Sequence, residues 1–126
     1  MRVLYVDDDA DIREIATMSL DLNPSIETRI AGSGKEALQI AREWQPDLIL
    51  LDVMMPEMDG PSVLAELRQA PATDQITVVF MTARTQPQEV SHFISLGAEG
   101  VIAKPFDPMA LADDVLSYAD RSKGVA

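Results

Sequence analysis

Five short runs along the chain have the length and composition of β-strands. Four of them are almost entirely apolar and rich in Val, Ile and Leu, namely residues 3–6, 48–51, 76–81 and 101–103. Unbroken apolar runs of this length are typical of strands that are buried on both faces of a parallel sheet. The fifth run, residues 26–30, alternates apolar and polar positions, which indicates an edge strand with one solvated face.

The stretches between these runs carry apolar residues at helical spacing, which predicts five amphipathic helices. The residues at this spacing form five stripes: Ile12, Ile15, Ala16 and Ser19; Ala37, Leu38, Ala41 and Trp44; Val63, Leu64 and Leu67; Val90, Phe93 and Ile94; and Leu111, Ala112, Val115, Leu116 and Ala119. Start and stop signals agree with these stripes. Gly60-Pro61 is expected to open the third helix, Gly97 to end the fourth, and Asp107-Pro108 to open the fifth.

The fivefold alternation of strand and helix predicts an α/β protein with a doubly wound, five-stranded parallel sheet. Right-handed crossovers place helices on both faces of such a sheet. With the alternating second strand at an edge, the strand order 2-1-3-4-5 of a flavodoxin-like (βα)5 fold fits best. Ligands of such folds bind outside the carboxyl ends of the strands, near the point where the strand order reverses.

Length and charge narrow the class of protein. The 126 residues are the size of one domain, with a polar tail predicted at about residues 121–126. Ten Lys and Arg stand against 21 Asp and Glu, and the net charge of −11 argues against direct contact with nucleic acid or an anionic membrane. No apolar run approaches the roughly 20 residues that span a bilayer, so no membrane insertion is expected. The N-terminus resembles neither a signal nor a transit peptide, and we expect a cytoplasmic protein.

Polar residues follow four of the predicted strands, and together they suggest a metal site. These residues are Asp7, Asp8 and Asp9 after the first strand, Asp52 after the third, Thr82-Ala83 after the fourth and Lys104-Pro105 after the fifth. Each has a structural alternative, because Asp8 or Asp9 could cap a helix and the others could hold turns. Clustered carboxylates repel, however, by about 4 kcal/mol for two charges 4 Å apart at an effective dielectric constant near 20. Lys104 neutralises one of these negative charges. A divalent cation would neutralise the others, and carboxylate oxygens favour Mg²⁺.

An acidic Mg²⁺ site with a lysine and a threonine has the parts of a phosphoryl-transfer site. No Ser-His pair, cysteine or glycine-rich phosphate loop supplies another nucleophile. Asp52 is therefore the natural acceptor, which would give an aspartyl phosphate.

The sequence resembles the receiver domain of bacterial two-component response regulators, of the chemotaxis-regulator-like type, over nearly all of residues 1–126. The resemblance is carried by four segments: Val6-Asp7-Asp8, residues 51–60 (LDVMMPEMDG), Met81-Thr82-Ala83-Arg84, and Gly97 to Gly100 leading to Lys104-Pro105-Phe106. Residues 51–60 together with Lys-Pro-Phe form a highly specific pair of motifs.

The resemblance implies a role for each residue of the site. Asp52 would accept a phosphoryl group from a phosphohistidine of a histidine kinase or phosphotransfer protein. The implied Mg²⁺ ligands are Asp7, Asp8, Asp52 and the backbone carbonyl of Met54. The Thr82 hydroxyl, the Ala83 backbone N–H and Lys104 would bind the phosphoryl group. The Lys104–Pro105 peptide bond would be cis, and Asp9 would only cap the first helix.

The resemblance also implies a switch rather than an enzyme. Phosphorylation adds about −1.5 to −2 charges, draws Thr82 inward and changes the face made by the fourth helix, fifth strand and fifth helix, which binds a downstream protein target. Val101 stands where many receivers carry an aromatic switch residue, so no aromatic rotation is expected there. Met54 and Arg84 flank the path of an attacking water. Neither residue has a carboxylate to orient that water, which predicts slow autodephosphorylation.

Three other interpretations of the sequence fit it less well. Gly32-Ser33-Gly34-Lys35 resembles a phosphate-binding loop, but Arg29 and Glu36 stand where that motif needs Gly and Ser or Thr. We therefore expect a turn that opens the second helix. His92 is expected in the fourth helix, away from the site. A Mg²⁺-dependent phosphohydrolase would need an acid at Met54, and a receiver that has lost phosphorylation would lack some of the site residues that are present here.

Overall fold

The computed structural model describes residues 1–122, which form five parallel strands and five helices in strict alternation. The strands are β1 (Arg2–Val6), β2 (Glu27–Ala31), β3 (Leu48–Asp52), β4 (Thr77–Thr82) and β5 (Gly100–Ala103). The helices are α1 (Ala10–Leu20), α2 (Gly34–Trp44), α3 (Gly60–Gln69), α4 (Pro87–Ser95) and α5 (Leu111–Ser122).

The strand order is β2-β1-β3-β4-β5, with every neighbouring pair parallel. The predicted fold class and strand order are therefore confirmed. The order reverses between β1 and β3, so the crevice above these two strands is the expected ligand-binding position. Both strands are buried over nearly their whole length, as their apolar runs predicted.

Two hydrophobic cores cover the two faces of the sheet. Alternate residues of β1 point to opposite faces, so Leu4 and Val6 join one core whereas Val3 and Tyr5 join the other. The first core is closed by residues of α2, α3 and α4, and the second by residues of α1 and α5. Full burial of each large aliphatic side chain contributes about 1.5–3 kcal/mol, which holds the strand ends in fixed positions.

Several element boundaries differ from the sequence-based prediction. The fifth helix begins at Leu111 rather than at Asp107-Pro108, because residues 107–110 form turns in which the Asp107 carbonyl accepts the N–H groups of Ala110 and Leu111. Strands β2 and β4 each begin one residue later than predicted, since Ile26 and Ile76 are tied back into preceding turns. Arg121 and Ser122 belong to α5 instead of a polar tail, and residues 123–126 lie outside the described residues.

The segment that resembled a phosphate-binding loop is the start of α2, as predicted. The Ser33 hydroxyl accepts the backbone N–H of Glu36 at 3.2 Å, and Glu36 Oε1 accepts the backbone N–H of Gly32 at 2.7 Å. This reciprocal pairing satisfies two backbone donors at the helix N-terminus. The remaining start and stop signals also agree with the structure, since α3 begins at Gly60 and Gly97 adopts a φ of 113° after α4.

Candidate functional site: an acidic pocket bridged by a lysine

Three carboxylates meet where β1 and β3 end. Asp7 follows β1 and Asp52 ends β3, and both are buried, whereas Asp8 is exposed at the mouth of the pocket. Each of the three offers a carboxylate oxygen within 4.8 Å of the others. The pocket therefore lies at the switch point of the sheet, where the fold directs ligands.

Lys104 bridges the two buried carboxylates. Its Nζ lies 2.9 Å from Asp7 Oδ2 and 3.3 Å from Asp52 Oδ2. The Lys104–Pro105 peptide bond is cis, and the backbone N–H of Lys104 donates to the Thr82 carbonyl at 2.9 Å. Burial lowers the pKa of the Lys104 ammonium, but hydrogen bonds and attraction from Asp7 and Asp52 outweigh burial and raise the pKa overall.

The Asp52 carboxyl is harder to ionise than a solvated aspartate. Burial, followed by repulsion from Asp7, raises its pKa from 3.8 to about 6, although Lys104 and the backbone of Met54 oppose the rise. Gly60 allows α3 to approach the end of β3 closely, because a Cβ at that position would lie 2.6 Å from the Asp52 carbonyl oxygen. The first residue of α3 therefore has to be glycine for the helix to pack against the end of β3.

The pocket has the chemistry of a site for a hard divalent cation. Three carboxylates face one ammonium, so the group carries excess negative charge when all three are ionised. The available ligand atoms are oxygens, without sulfur or imidazole, and Mg²⁺ and Ca²⁺ prefer such ligands. The donor set therefore fits Mg²⁺.

Thr82 and its neighbours lie on the adjacent strand. Thr82 ends β4 and is buried, and its Oγ1 accepts the backbone N–H of Arg84 at 3.0 Å. Strand β4 pairs with β3 so that Asp52 lies opposite Met81, which brings the end of β4 to the side of the phosphoacceptor candidate. Ala83 and Arg84 follow on the exposed rim.

The remaining predicted positions are less buried than Asp7 and Asp52. Val101 is half-buried in β5, and its carbonyl accepts the hydroxyl of Tyr118 at 3.1 Å. Met54 is 79% exposed in the loop after β3. Asp9 is the N-cap of α1, accepting the backbone N–H of Asp11 at 2.9 Å, so its predicted capping role is confirmed.

Two residues near the pocket were missed at the sequence level. The Tyr5 hydroxyl lies 3.2 Å from Asp7 Oδ2 inside the protein, and Arg13 Nη1 donates to the Asp7 carbonyl at 2.7 Å. The hydrophobic pattern identifies Tyr5 only as part of an apolar strand. The available signal was its phenol, the one polar group in the run of residues 3–6 and two positions before Asp7.

An apolar groove of about 420 Å³ opens beside the pocket. It lies between α1 and the loop after β5, and its lining residues are Ile12, Ile15, Lys104, Pro105, Phe106 and Pro108. Exposed Met18, Leu22 and Met109 continue the apolar surface away from the pocket. Lys104 therefore belongs both to the acidic pocket and to this groove.

The fold and the pocket define the class of protein: a doubly wound α/β domain with a lysine-bridged carboxylate site at its switch point. The chain belongs to the response regulator receiver domain family, whose family model matches residues 3–116. It is thus the receiver domain of a two-component response regulator, in agreement with the resemblance found in its sequence.

Named relatives agree with this assignment. The DNA-binding response regulator MtrA of Mycobacterium tuberculosis is 40% identical over 121 residues, which cover 96% of this chain and 51% of the relative. Response regulator MprA of Mycobacterium leprae is 38% identical over 123 residues, which cover 98% of this chain and 53% of the relative. The chain therefore spans about half the length of these curated relatives.

Solved structures share the fold over nearly the whole chain. Chemotaxis response regulator CheY4 of Vibrio cholerae is 30% identical with a TM-score of 0.85, covering 93% of this chain and 97% of that one. The Francisella response regulator 1452 receiver domain is also 30% identical with a TM-score of 0.85, covering 96% and 98%. Receiver domains are in general signalling domains and not enzymes, which disfavours the phosphohydrolase alternative. Among the described residues, no helix has the length and apolar content needed to cross a bilayer.

Proposed function

We propose that this receiver domain is a phosphorylation-dependent switch whose phosphoacceptor is Asp52. The observation that carries the proposal is the bridging position of Lys104, which lies within 3.3 Å of both Asp52 and Asp7 in a pocket of three carboxylates. A phosphoryl group on Asp52 would meet a cationic side chain that already donates to this carboxylate.

The transfer is a displacement at phosphorus. A carboxylate oxygen of Asp52 forms the new P–O bond, while the P–N bond to the histidine of a kinase or phosphotransfer protein breaks and its electron pair stays on the imidazole nitrogen. Asp7, Asp8, Asp52 and the Met54 carbonyl would hold Mg²⁺, which when bound offsets negative charge on the phosphoryl oxygens.

Thr82 and Lys104 would bind the phosphoryl oxygens, together with the backbone N–H of Ala83. In the structure the Thr82 hydroxyl is engaged with the N–H of Arg84, so a new bond to the phosphoryl group would pull the loop after β4 along. The surface formed by α4, β5 and α5 would then change its affinity for a downstream protein target. With Val101 in β5, this change would proceed without rotation of an aromatic side chain at that position.

The groove beside Lys104 is the proposed docking surface for the phosphodonor. An apolar helix face of the donor protein seated between α1 and the loop after β5 would bring its phosphohistidine to the rim of the pocket, because Lys104 lines both. A cytoplasmic location and the absence of direct nucleic-acid contact by residues 1–126 remain predictions.

Phosphorylation of the purified chain tests the proposal. Incubation with Mg²⁺ and acetyl phosphate, or with a panel of phosphorylated histidine kinases, should attach one hydroxylamine-labile phosphate to Asp52. Asp52→Asn and chelation of Mg²⁺ should each abolish the label, while Asp59→Asn, at the N-cap of α3, should retain it. Labelling that persists in Asp52→Asn would contradict the assignment of the phosphoacceptor.

A further inference from the structure

Tyr5 places a phenol hydroxyl inside the acidic pocket. The residue is fully buried in β1, and its side chain points to the same face of the strand as that of Asp7, two residues later. The hydroxyl lies 3.2 Å from Asp7 Oδ2. The Tyr5 ring also makes an edge contact with Phe106, at 6.4 Å between ring centroids, next to the cis peptide bond.

Asp7 Oδ2 therefore has two hydrogen-bond donors. One is the Tyr5 hydroxyl and the other is Lys104 Nζ at 2.9 Å, while Asp7 Oδ1 accepts the backbone N–H of Asp9 at 2.9 Å. A phenol is protonated at neutral pH even at its ordinary pKa of about 10, so the Tyr5 hydroxyl is a hydrogen-bond donor there.

Lys104 cannot keep both of its present contacts with Asp7 and Asp52 once Asp52 carries a phosphoryl group. Its ammonium lies nearer to Asp7 than to Asp52, and a move toward phosphoryl oxygens lengthens the contact with Asp7 Oδ2. A buried carboxylate oxygen that loses its donor bears the desolvation penalty of that oxygen. The second donor on the same oxygen removes much of this cost.

We propose that Tyr5 is a positioning residue whose hydroxyl holds Asp7 Oδ2 while Lys104 turns to the phosphoryl group on Asp52. This inference rests on the proposed phosphoacceptor role of Asp52. The Tyr5 hydroxyl should therefore contribute more to binding of a phosphoryl group than to binding of Mg²⁺ alone, because Lys104 still donates to Asp7 when only the metal is bound. A purely structural role would affect both states equally.

Tyr5→Phe separates these two roles, because it removes the hydroxyl and keeps the packed ring. In the full chain at saturating Mg²⁺, its dissociation constant for beryllofluoride, a phosphoryl mimic, should rise about three- to tenfold. Its dissociation constant for Mg²⁺ alone should change by less than about twofold. Both constants are measured by following amide resonances in NMR titrations. Thr73→Val is the matched control, since it removes a buried hydroxyl that donates to the Leu67 carbonyl in the segment between α3 and β4, away from the pocket and from the surface of α4, β5 and α5, and it should leave both constants unchanged.

The possible outcomes distinguish the inference from the function on which it rests. Equal weakening of Mg²⁺ and beryllofluoride binding in Tyr5→Phe, or no weakening of either, would overturn the role of Tyr5. A wild-type chain with no beryllofluoride response, or a response that persists in Asp52→Asn, would instead overturn the proposed phosphoacceptor.

A spectroscopic measurement covers the case in which Tyr5→Phe does not fold. The wild-type chain is labelled with 3-fluorotyrosine, and its two fluorine resonances are assigned with Tyr118→Phe. The Tyr5 resonance should shift more on addition of beryllofluoride at saturating Mg²⁺ than on addition of Mg²⁺ alone. A Tyr5 resonance whose chemical shift does not change on addition of beryllofluoride would contradict the inference.

Discussion

Lys104 Nζ lies closer to Asp7 Oδ2, at 2.9 Å, than to Asp52 Oδ2, at 3.3 Å. The lysine of the site is therefore shared between two buried carboxylates, and its shorter contact is with the residue that is not the proposed phosphoacceptor. One ammonium between two carboxylates leaves the pocket with unbalanced negative charge.

Removal of the Asp52 charge should stabilise the fold in the absence of Mg²⁺. The pKa of this carboxyl is raised from 3.8 to about 6, so the folded state binds its proton more tightly than the unfolded chain does. The stability that comes from the protonated form is complete below about pH 4 and is lost as the pH rises through about 6. At pH 7.5, Asp52→Asn should therefore raise the free energy of unfolding by about 1–3 kcal/mol.

Chemical denaturation of wild type and Asp52→Asn at pH 7.5 and pH 4, in EDTA, measures this effect. The difference should shrink toward zero at pH 4. Glu66→Gln is the control, because it removes a negative charge from an exposed position of α3, and it should change stability by less than about 0.5 kcal/mol. An Asp52→Asn chain less stable than wild type at pH 7.5 would show that burial and the charge of Asp7 do not disfavour the ionised carboxylate in the folded state.

Asp8 and Asp9 are adjacent acids that should respond differently to substitution. Asp9→Ala removes the N-cap of α1 and should cost about 1 kcal/mol of stability, while Mg²⁺ still raises the melting temperature. Asp8→Ala removes an exposed carboxylate of the metal group, so it should reduce the Mg²⁺-dependent rise and leave the metal-free stability nearly unchanged. Thermal unfolding with and without Mg²⁺ measures both. The reverse pattern would assign the metal ligand to Asp9.

The phosphoryl group on Asp52 should be long-lived, because neither Met54 nor Arg84 can orient an attacking water. Both side chains are exposed beside the pocket. Met54→Asn and Arg84→Glu should each accelerate decay of the acyl phosphate by about tenfold, as expected when a side chain supplies general-base or positioning assistance. Decay of the label after removal of the phosphodonor gives the rate. Met109→Asn, a change at a similarly exposed methionine, should leave it unchanged, and failure of both test variants would refute this explanation of lifetime.

The groove beside Lys104 should matter for a protein donor and not for a small one. Ile15 lines the groove and is 44% exposed, so Ile15→Asp should slow phosphotransfer from a phosphorylated kinase by about tenfold or more. The rate with acetyl phosphate should be preserved. Ile94→Asp on α4, at a position 49% exposed, is the matched control and should affect neither rate. An equal fall in the phosphorylation rate with both donors would indicate that the substitution damages the pocket and does not act on docking.

The order of elements and the place of the site could be predicted from local patterns. Strand burial, helix stripes and the Gly60 and Gly97 signals depend on neighbours in the chain, and the sheet order followed from the alternating pattern of the edge strand. The carboxyl ends of parallel strands share one edge of the sheet, so the sequence alone could place four residues of the site together: Asp7, Asp8, Asp52 and Lys104. The start of α5 was misplaced, because Asp107-Pro108 carries a helix-opening signal that the structure uses for turns.

Only the tertiary structure decided how these groups share their contacts. Lys104 Nζ lies 2.9 Å from Asp7 and 3.3 Å from Asp52, and Tyr5 supplies a second donor to Asp7. Hydrophobic periodicity records which face of a strand is buried, but it does not record which atom on a buried face meets a charge from a segment about 100 residues away. That choice is made by packing across the sheet, which the local pattern does not contain.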